Sequence, residues 1–198
     1  MDYIALDSFP YYSECESLVS EMGYHLVELK LSKQGSTTKI LAVITGDDSS
    51  VNIGVNDCSK VHRILLPKLE ELILRNANQR CWMLPAHDSH LTGFNRKMMH
   101  IELGNSRYAL MLAYAVAYLE PRLKPDTVKK VKEEIIKRII NPYLKLVDDP
   151  VASRAKCWWH FWYDARNNWN SVCHCNVVRT ALVVVDDPLV RAKIIAAA

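Results

Sequence analysis

Four of the chain's five tryptophans fall within twelve residues. Trp158, Trp159, Phe161, Trp162, Tyr163 and Trp169 crowd a stretch that opens at Cys157 and runs on to Val178. Aromatic side chains bury large areas and pack with preferred ring geometries. A segment this dense must sit either in a helical core or along the wall of a ligand cleft. Asn167, Asn168, Asn170, His160 and His174 are interleaved with the rings. Ring faces stack on sugars or bases, and amides bond hydroxyls and carboxylates, so chemistry alone leaves both placements open.

The residues before position 75 carry the only strand-like periodicity. Tyr11, Cys15, Leu18, Val19 and Met22 share one helix face, and Gly23 follows as a stop. In residues 24–31, Val27, Leu29 and Leu31 alternate with Glu28 and Lys30, the pattern of a half-buried strand. The SKQGST turn leads to a second strand over 38–45, its hairpin partner, and an acidic loop follows at 46–50. A second helix, capped by Asn56 or Asp57, then carries Cys58, Val61, Leu65, Leu69 and Leu72 as its apolar stripe. Pro67 is expected to kink or restart it, because proline has no amide donor. Cys58 and His62 stand one turn apart, but a pair of that kind is no metal site by itself and reads as packing.

From a polar join at 74–80 onward the chain reads as loop and helix. Residues 81–99 are irregular, with Pro85 and Gly93, and hold His87, Asp88 and His90 at a spacing that matches no strong metal-ligand pattern. Residues 106–119 are apolar nearly all round, a buried helix ended by Pro121. Asp126 or Thr127 caps the next helix, with Val128, Val131, Ile135, Ile136 and Ile139 on one face and Lys129, Lys130, Lys132, Glu133 and Glu134 on the other. Asn141-Pro142 closes it, and a loop through 147–156 leads to the aromatic stretch. Residues 168–185 form a helix with Trp169, Val172, Asn176, Val177, Thr180, Ala181 and Val184 on one side. Asp186-Asp187-Pro188 turns into a last helix. Cys173, His174 and Cys175 are consecutive, so on a helix they point apart and share no ion. No metal and no cofactor is expected.

Charge sharpens the division. Residues 1–75 hold 7 Lys/Arg and 11 Asp/Glu, net −4, whereas residues 76–198 hold 18 and 11, net +7. An acidic unit favours basic partners and a basic unit favours polyanions. No apolar run reaches the roughly 18–20 residues of a membrane span. MDYIALDSFP lacks a basic secretory n-region, and the six cysteines are scattered rather than paired. A cytoplasmic protein without membrane contact is the expectation.

MGYHLVELKLSKQG, KILAVI and VNIGVNDCSKVHRILLPKLEEL resemble the N-terminal domain of the bacterial ribosome maturation factor RimP over residues 10–75. The specific parts are Gly23–Val27 and Ile53–Arg63. The resemblance implies a KH-like α-β-β-α module that assists small-subunit assembly by contacting a ribosomal protein and rRNA. That family continues into a third strand with a serine-proline-glycine motif and then a small β-barrel, which do not follow here. Without the third strand the sheet keeps an unpaired edge, which weakens it and invites aggregation.

Residues 80–198 bring a second resemblance. WMLPAHD, IELGNSRYALMLAYAVAYL, NPYL and, most specifically, NNWNSVC at Asn167–Cys173 look like the (α/α) toroid of heparinase II/III and alginate-lyase polysaccharide lyases. The expected fold class is α+β, an α-β-β-α module at 1–75 followed by an all-α toroid fragment at 76–198. The resemblance implies β-elimination on a uronic-acid glycan, which needs the carboxylate neutralised, a base for the C5 proton and an acid for the leaving oxygen. It makes Asn168, His174 and Tyr163 the catalytic candidates, with His160 a further nearby imidazole. Trp158, Trp159, Trp162, Asn167, Trp169, Asn170 and His87 become the substrate-contacting ones, and an acidic polysaccharide the partner of residues 80–175. The family's His after the Asn is replaced here by Trp169, and its catalytic Tyr and second His lie beyond the aromatic segment. Enzyme activity is therefore left open beside ribosome maturation. Both resemblances break at one join, which adds the expectation of a chimeric reading frame without function.

Overall fold

A computed structural model describes residues 12–34, 37–46, 53–88 and 90–198. It is mostly helical, with one small antiparallel sheet after the first helix. Two compact units emerge, Met1–Leu74 with Tyr118–Leu123, and Arg75–Ala117 with Lys124–Ala198. No helix among the described residues is long and apolar enough to cross a membrane.

In the first unit, α1 (Tyr12–Ser20) buries Cys15 and Val19 and gives way at Gly23, whose φ of 80° suits a residue without a side chain. Tyr11 lies outside the described residues. β1 (Tyr24–Gln34) and β2 (Thr37–Gly46) pair antiparallel, so each strand runs beyond its expected end. The acidic residues 47–50 also lie outside the described set. Leu26 pairs with Ile44 and Glu28 with Val43, which leaves Val27 as an extra residue. This β-bulge shifts the alternation. Among the strand's described side chains Leu26 and Leu29, three apart, are buried and Val27 is not; the side chain of Leu31 lies outside the described set.

α2 (Val55–Ala77) starts earlier than expected. Asp57 is not the cap but the third helical residue. Its Oδ2 accepts the Gly54 N–H at 3.0 Å and its Oδ1 accepts the Tyr24 hydroxyl at 2.9 Å, as in the return half of a capping box. The Gly54 amide, then Tyr24 and Lys60, hold the Asp57 carboxyl below its ordinary value. Val61, Leu65, Leu69, Leu72 and Ile73 are buried, each contributing about 1.5–3 kcal/mol relative to exposure. Cys58, expected in that stripe, is exposed. Pro67 neither ends nor restarts the helix; one missing amide bond is outweighed by the continuous buried stripe on either side of it.

In the second unit, α2 carries through the expected polar join to Ala77, which is fully buried. α3 (Leu103–Leu119) buries Ala109, Leu112, Ala113 and Val116. α4 (Pro125–Ile135) begins at an extended Lys124 with no side-chain cap, so Asp126 and Thr127 lie inside its first turn. Val128, Val131, Ile135 and Ile139 are buried. Glu134, expected on the solvated face, is buried too and accepts Arg138 Nε–H at 2.7 Å.

Asn141-Pro142 does not close this helix. A widened π turn at Ile136–Ile140, in which Asn141 N–H bonds the Ile136 carbonyl, inserts a residue just before Pro142, and α5 (Asn141–Asp148) runs on. The extra residue relieves the clash between a proline ring and the carbonyl four residues back. The expected loop contains α6 (Pro150–Lys156), capped by Asp149. α7 (Asn168–Val184) buries Cys173, His174, Asn176, Val177, Thr180, Ala181 and Val184, while Val172 is exposed. Asp187 caps α8 (Pro188–Ala196).

Candidate functional site

The aromatic stretch folds as a 3₁₀ helix, Trp158–Asp164. With three residues per turn, positions three apart eclipse one another. Trp158 and Phe161 accordingly lie nearly parallel, 6.1 Å between centroids. Trp162 is fully buried, and its Nε1–H donates to the Ile101 carbonyl at 2.8 Å. Both faces of its ring are thus taken up by protein. Trp158 is 60% exposed and stacks on Trp159 at 4.2 Å. Trp159 stacks on Trp169 at 6.2 Å.

His87 closes this face, 5.3 Å from the Trp159 ring and 4.8 Å from Trp169. Its Nδ1 lies 2.5 Å from Glu102 Oε2. The Glu102 carboxylate is fully buried and accepts the N–H groups of Leu84, Gly104 and Asn105, at 3.3, 2.7 and 2.5 Å. Asn105 Oδ1 takes the Glu102 N–H in return at 2.9 Å, so the residue caps α3 reciprocally. A carboxylate on Nδ1–H fixes the imidazole tautomer and leaves Nε2 as the lone-pair nitrogen. Such a nitrogen can accept a hydroxyl or take a proton. His100 lies parallel to Trp159 at 5.8 Å, with Nε2 toward the His87 carbonyl at 3.2 Å. Burial lowers the pKa of His100 and keeps the ring neutral.

The other candidates are spread around this face. Asn167 caps α7, its Oδ1 accepting Trp169 N–H at 3.1 Å, and Asn168 is the exposed first residue of that helix. Asn170 Nδ2 donates to the carbonyls of Trp162 and Tyr163 at 3.2 and 2.7 Å, tying α7 to the end of the 3₁₀ helix. His174 is buried with both nitrogens engaged. Nε2–H donates to the Tyr163 carbonyl at 3.1 Å, and Nδ1 accepts the Tyr143 hydroxyl at 2.7 Å. Tyr163 is half-buried against His174, and burial, then Asp164, raises its phenol pKa. His87, Trp158, Trp159 and Trp169 therefore come together, while Trp162, Asn170 and His174 are held in packing and hydrogen-bonding positions.

Asp88, beside His87, is a loop staple. Its carboxylate accepts the N–H groups of Gly93 and Phe94 at 3.0 and 2.8 Å. Burial opposes its ionisation, but those amides outweigh it and lower its pKa. No cluster of three metal-ligating side chains occurs among the described residues. Cys173 is buried and Cys175 exposed, in keeping with consecutive helical positions that point apart. Sequence reasoning passed over Glu102 and His100. Glu102-x-x-Asn105 before an apolar run has capping-box spacing in reverse, a signal that marks the carboxylate as buried at a helix start.

In the first unit, Ala42, Ile44, Val61, Leu65 and Leu69 line an apolar groove of about 300 Å³ between β2 and α2. His62 Nε2 lies 3.2 Å from Arg122 Nη1 near its rim.

Residues 14–78 match the family model of the RimP N-terminal domain. The match spans most of α1, both strands and α2, less than half of the chain. It supports a ribosome-maturation type of function, with ribosome-related partners, for this N-terminal part.

Proposed function

We propose that residues 14–78 dock the chain onto the assembling small ribosomal subunit, in the cytoplasm, by contacting a basic ribosomal protein and rRNA. The observation that carries this is the family match over a module with α-β-β-α order that buries Cys15, Val19, Leu26, Leu29, Val61, Leu65, Leu69 and Leu72. The net charge of −4 over residues 1–75 suits a basic partner. The test is co-sedimentation of the full chain with purified small subunits. Binding that weakens with salt and ignores Trp158→Ala is expected. No binding even at low salt, or loss on Trp158→Ala, would refute it.

A second reading concerns residues 80–198, taken as a partial (α/α) toroid that binds acidic polysaccharide. The exposed Trp158, stacked on Trp159 beside the Glu102-oriented His87, supports it. In this reading Trp158 and Trp159 stack on sugar rings and Asn168 bonds a uronate carboxylate. Lyase chemistry would remove the C5 proton, form the C4–C5 double bond and release a protonated C4 leaving oxygen. His87 Nε2 is better placed for the proton than His174, whose nitrogens are both occupied. Incubation with alginate and heparan-type chains decides. An ultraviolet-absorbing unsaturated product that disappears in His87→Gln supports a lyase. Binding lost in Trp158→Ala without product leaves a binding module, and no binding refutes the reading.

A further inference from the structure

A cleft of about 780 Å³ opens within the second unit, walled by the 96–99 loop, the π turn, α5 and α6. It shares no lining residue with the face formed by His87, Trp158, Trp159 and Trp169. Arg96, Lys97, Lys137, Lys145 and Lys156 border it. All five are exposed, and none forms an ion pair among the described residues. Arg96 and Lys97 sit on a tight turn, in which Arg96 N–H bonds the Gly93 carbonyl and Lys97 N–H the Thr92 carbonyl.

Two further charged groups belong to the lining. Arg138 is neutralised by Glu134 and donates to the Gln79 carbonyl. Asp149 caps α6 through the Ala152 N–H, is exposed and carries its negative charge. Five exposed cations thus stand against one exposed carboxylate, a surplus of four positive charges on one concavity. Such a surface concentrates anions.

Extent and side-chain chemistry decide which anion. Lys137, Asn141 and Lys145 recur every fourth residue along the π turn and α5, a row about 12 Å long. That is longer than one phosphate group, and the Arg96–Lys97 turn and Lys156 carry the charge onto other walls. A compact anion leaves most of these cations unmet, whereas an extended polyanion meets them together. Four of the five cations are lysines, point charges without the fork geometry that reads base edges. Contacts of that kind position a phosphate backbone and read no sequence. The one aromatic ring of the lining belongs to buried His160, so splayed bases find no stacking platform. Contact with phosphates alone suits an RNA helix, whose bases are turned inward. The match of residues 14–78 to a ribosome-maturation domain favours RNA, the polyanion of the ribosome, over other anionic chains.

We propose that this cleft holds the phosphate backbone of a helical rRNA segment, with Arg96, Lys97, Lys137, Lys145 and Lys156 as its contacts. This rests on the docking of residues 14–78 to the small subunit, and it gives the basic unit an RNA contact of its own.

The test is a fluorescence-anisotropy titration of a labelled RNA stem-loop with the full chain across a salt series. Affinity should fall with salt at a log–log slope of about −3.5 to −4.5 for five contacts. Lys145→Glu/Lys156→Glu should weaken binding at least about tenfold and make the slope shallower by about one per lysine lost. Lys129→Glu/Arg107→Glu makes the same charge change at exposed positions outside the cleft and should have a much smaller effect. Trp158→Ala should leave stem-loop binding unchanged. Absence of binding, wild-type behaviour of the Lys145/Lys156 variant, or equal losses in the two double variants overturns the proposal. So does displacement of the RNA by polygalacturonate at equal charge concentration, which would reassign the cleft to acidic polysaccharide. Tighter binding of an oligouridylate that is lost in Trp158→Ala would move RNA to the aromatic face and overturn it equally. Co-sedimentation with small subunits reads the docking of residues 14–78 separately. If it persists without stem-loop binding, the cleft assignment alone fails; if it is lost while the stem-loop still binds, the docking alone fails.

Discussion

Trp162 and Trp158 are four residues apart and chemically identical, yet the structure assigns them opposite consequences. Trp162 has no exposed surface and spends its indole N–H on the Ile101 carbonyl. Trp162→Phe removes that donor and part of the ring. The lost ring area, at about 25 cal/mol per Å², costs on the order of 1 kcal/mol. The orphaned buried carbonyl adds about 1–3 kcal/mol. The sum, about 2–4 kcal/mol, is a large share of the roughly 5–15 kcal/mol that stabilises a typical domain. Trp158, 60% exposed, contributes mostly its contact with Trp159, and Trp158→Ala should cost no more than about 1 kcal/mol. Urea unfolding followed by far-ultraviolet circular dichroism measures both through the midpoint at constant slope. Equal effects of the two substitutions, or a Trp162→Phe cost under about 0.5 kcal/mol, would refute the division of the segment into one buried anchor and one exposed ring.

Three further outcomes are expected. Glu134 is desolvated, but its bonds to Arg138 and Lys130 outweigh that and hold its pKa below the ordinary 4.5. A lowered folded-state pKa means stability that is present above 4.5 and lost as pH falls through the folded value. Glu134→Gln should therefore flatten the acid limb of the urea midpoint against pH; an unchanged acid limb would contradict this. Gly104→Ala would gain about 1 kcal/mol of helix propensity. Its new Cβ, however, meets Leu84 Cγ at 2.5 Å and the held Glu102 Oε1 at 2.8 Å, an overpacking cost of about 1–3 kcal/mol. A lower melting temperature is expected, and a higher one would show that the carboxylate moves freely. Gly23→Ala, at a φ of 80° in open space, should cost about 1–2 kcal/mol through backbone strain alone, with Gly23→Asn milder by the same melting measurement.

The first unit was legible because its signals are local: a helical face stopped by glycine, an alternating hairpin and a long stripe of leucines. Where it misled, a single residue changed the phase. The bulge at Val27 moves burial to Leu26 and Leu29, and nothing in an alternating sequence announces which residue will be extra. The prolines misled for a tertiary reason. Pro67 and Pro142 read as breaks, yet Pro67 lies in a helix held by its buried stripe and Pro142 follows a turn already widened by one residue. The aromatic segment announced that its rings would cluster, but not which would be inside. That depended on its 3₁₀ twist and on Ile101, distant in sequence, offering a carbonyl to Trp162. Glu102 was missed because an acid next to an apolar run reads as a boundary, whereas here four donors converge on it.

The join between the two resemblances carries a physical constraint of its own. An arbitrary splice would leave polar residues 74–80 as a solvated tether, since no selection would have matched them to the helices downstream. Here the Asn76 carbonyl accepts Trp82 Nε1–H at 3.2 Å, and Asn76 Oδ1 accepts the Tyr108 hydroxyl at 2.7 Å. The Gln79 carbonyl accepts Arg138 Nη1–H at 2.8 Å, and the same guanidinium lies over the Trp82 ring at 4.6 Å. The partners come from α3 and the π turn, so the join draws on residues as far away as position 138. The family match ends at residue 78, inside this set of bonds. Residues 75–78 are thus shared between the last turn of the matched module and the start of the helical unit. A tether cut anywhere in 74–80 would leave the folding of either side unchanged. A join built this way predicts that separating the chain after residue 78 strips Trp82 and Tyr108 of the Asn76 groups they bond.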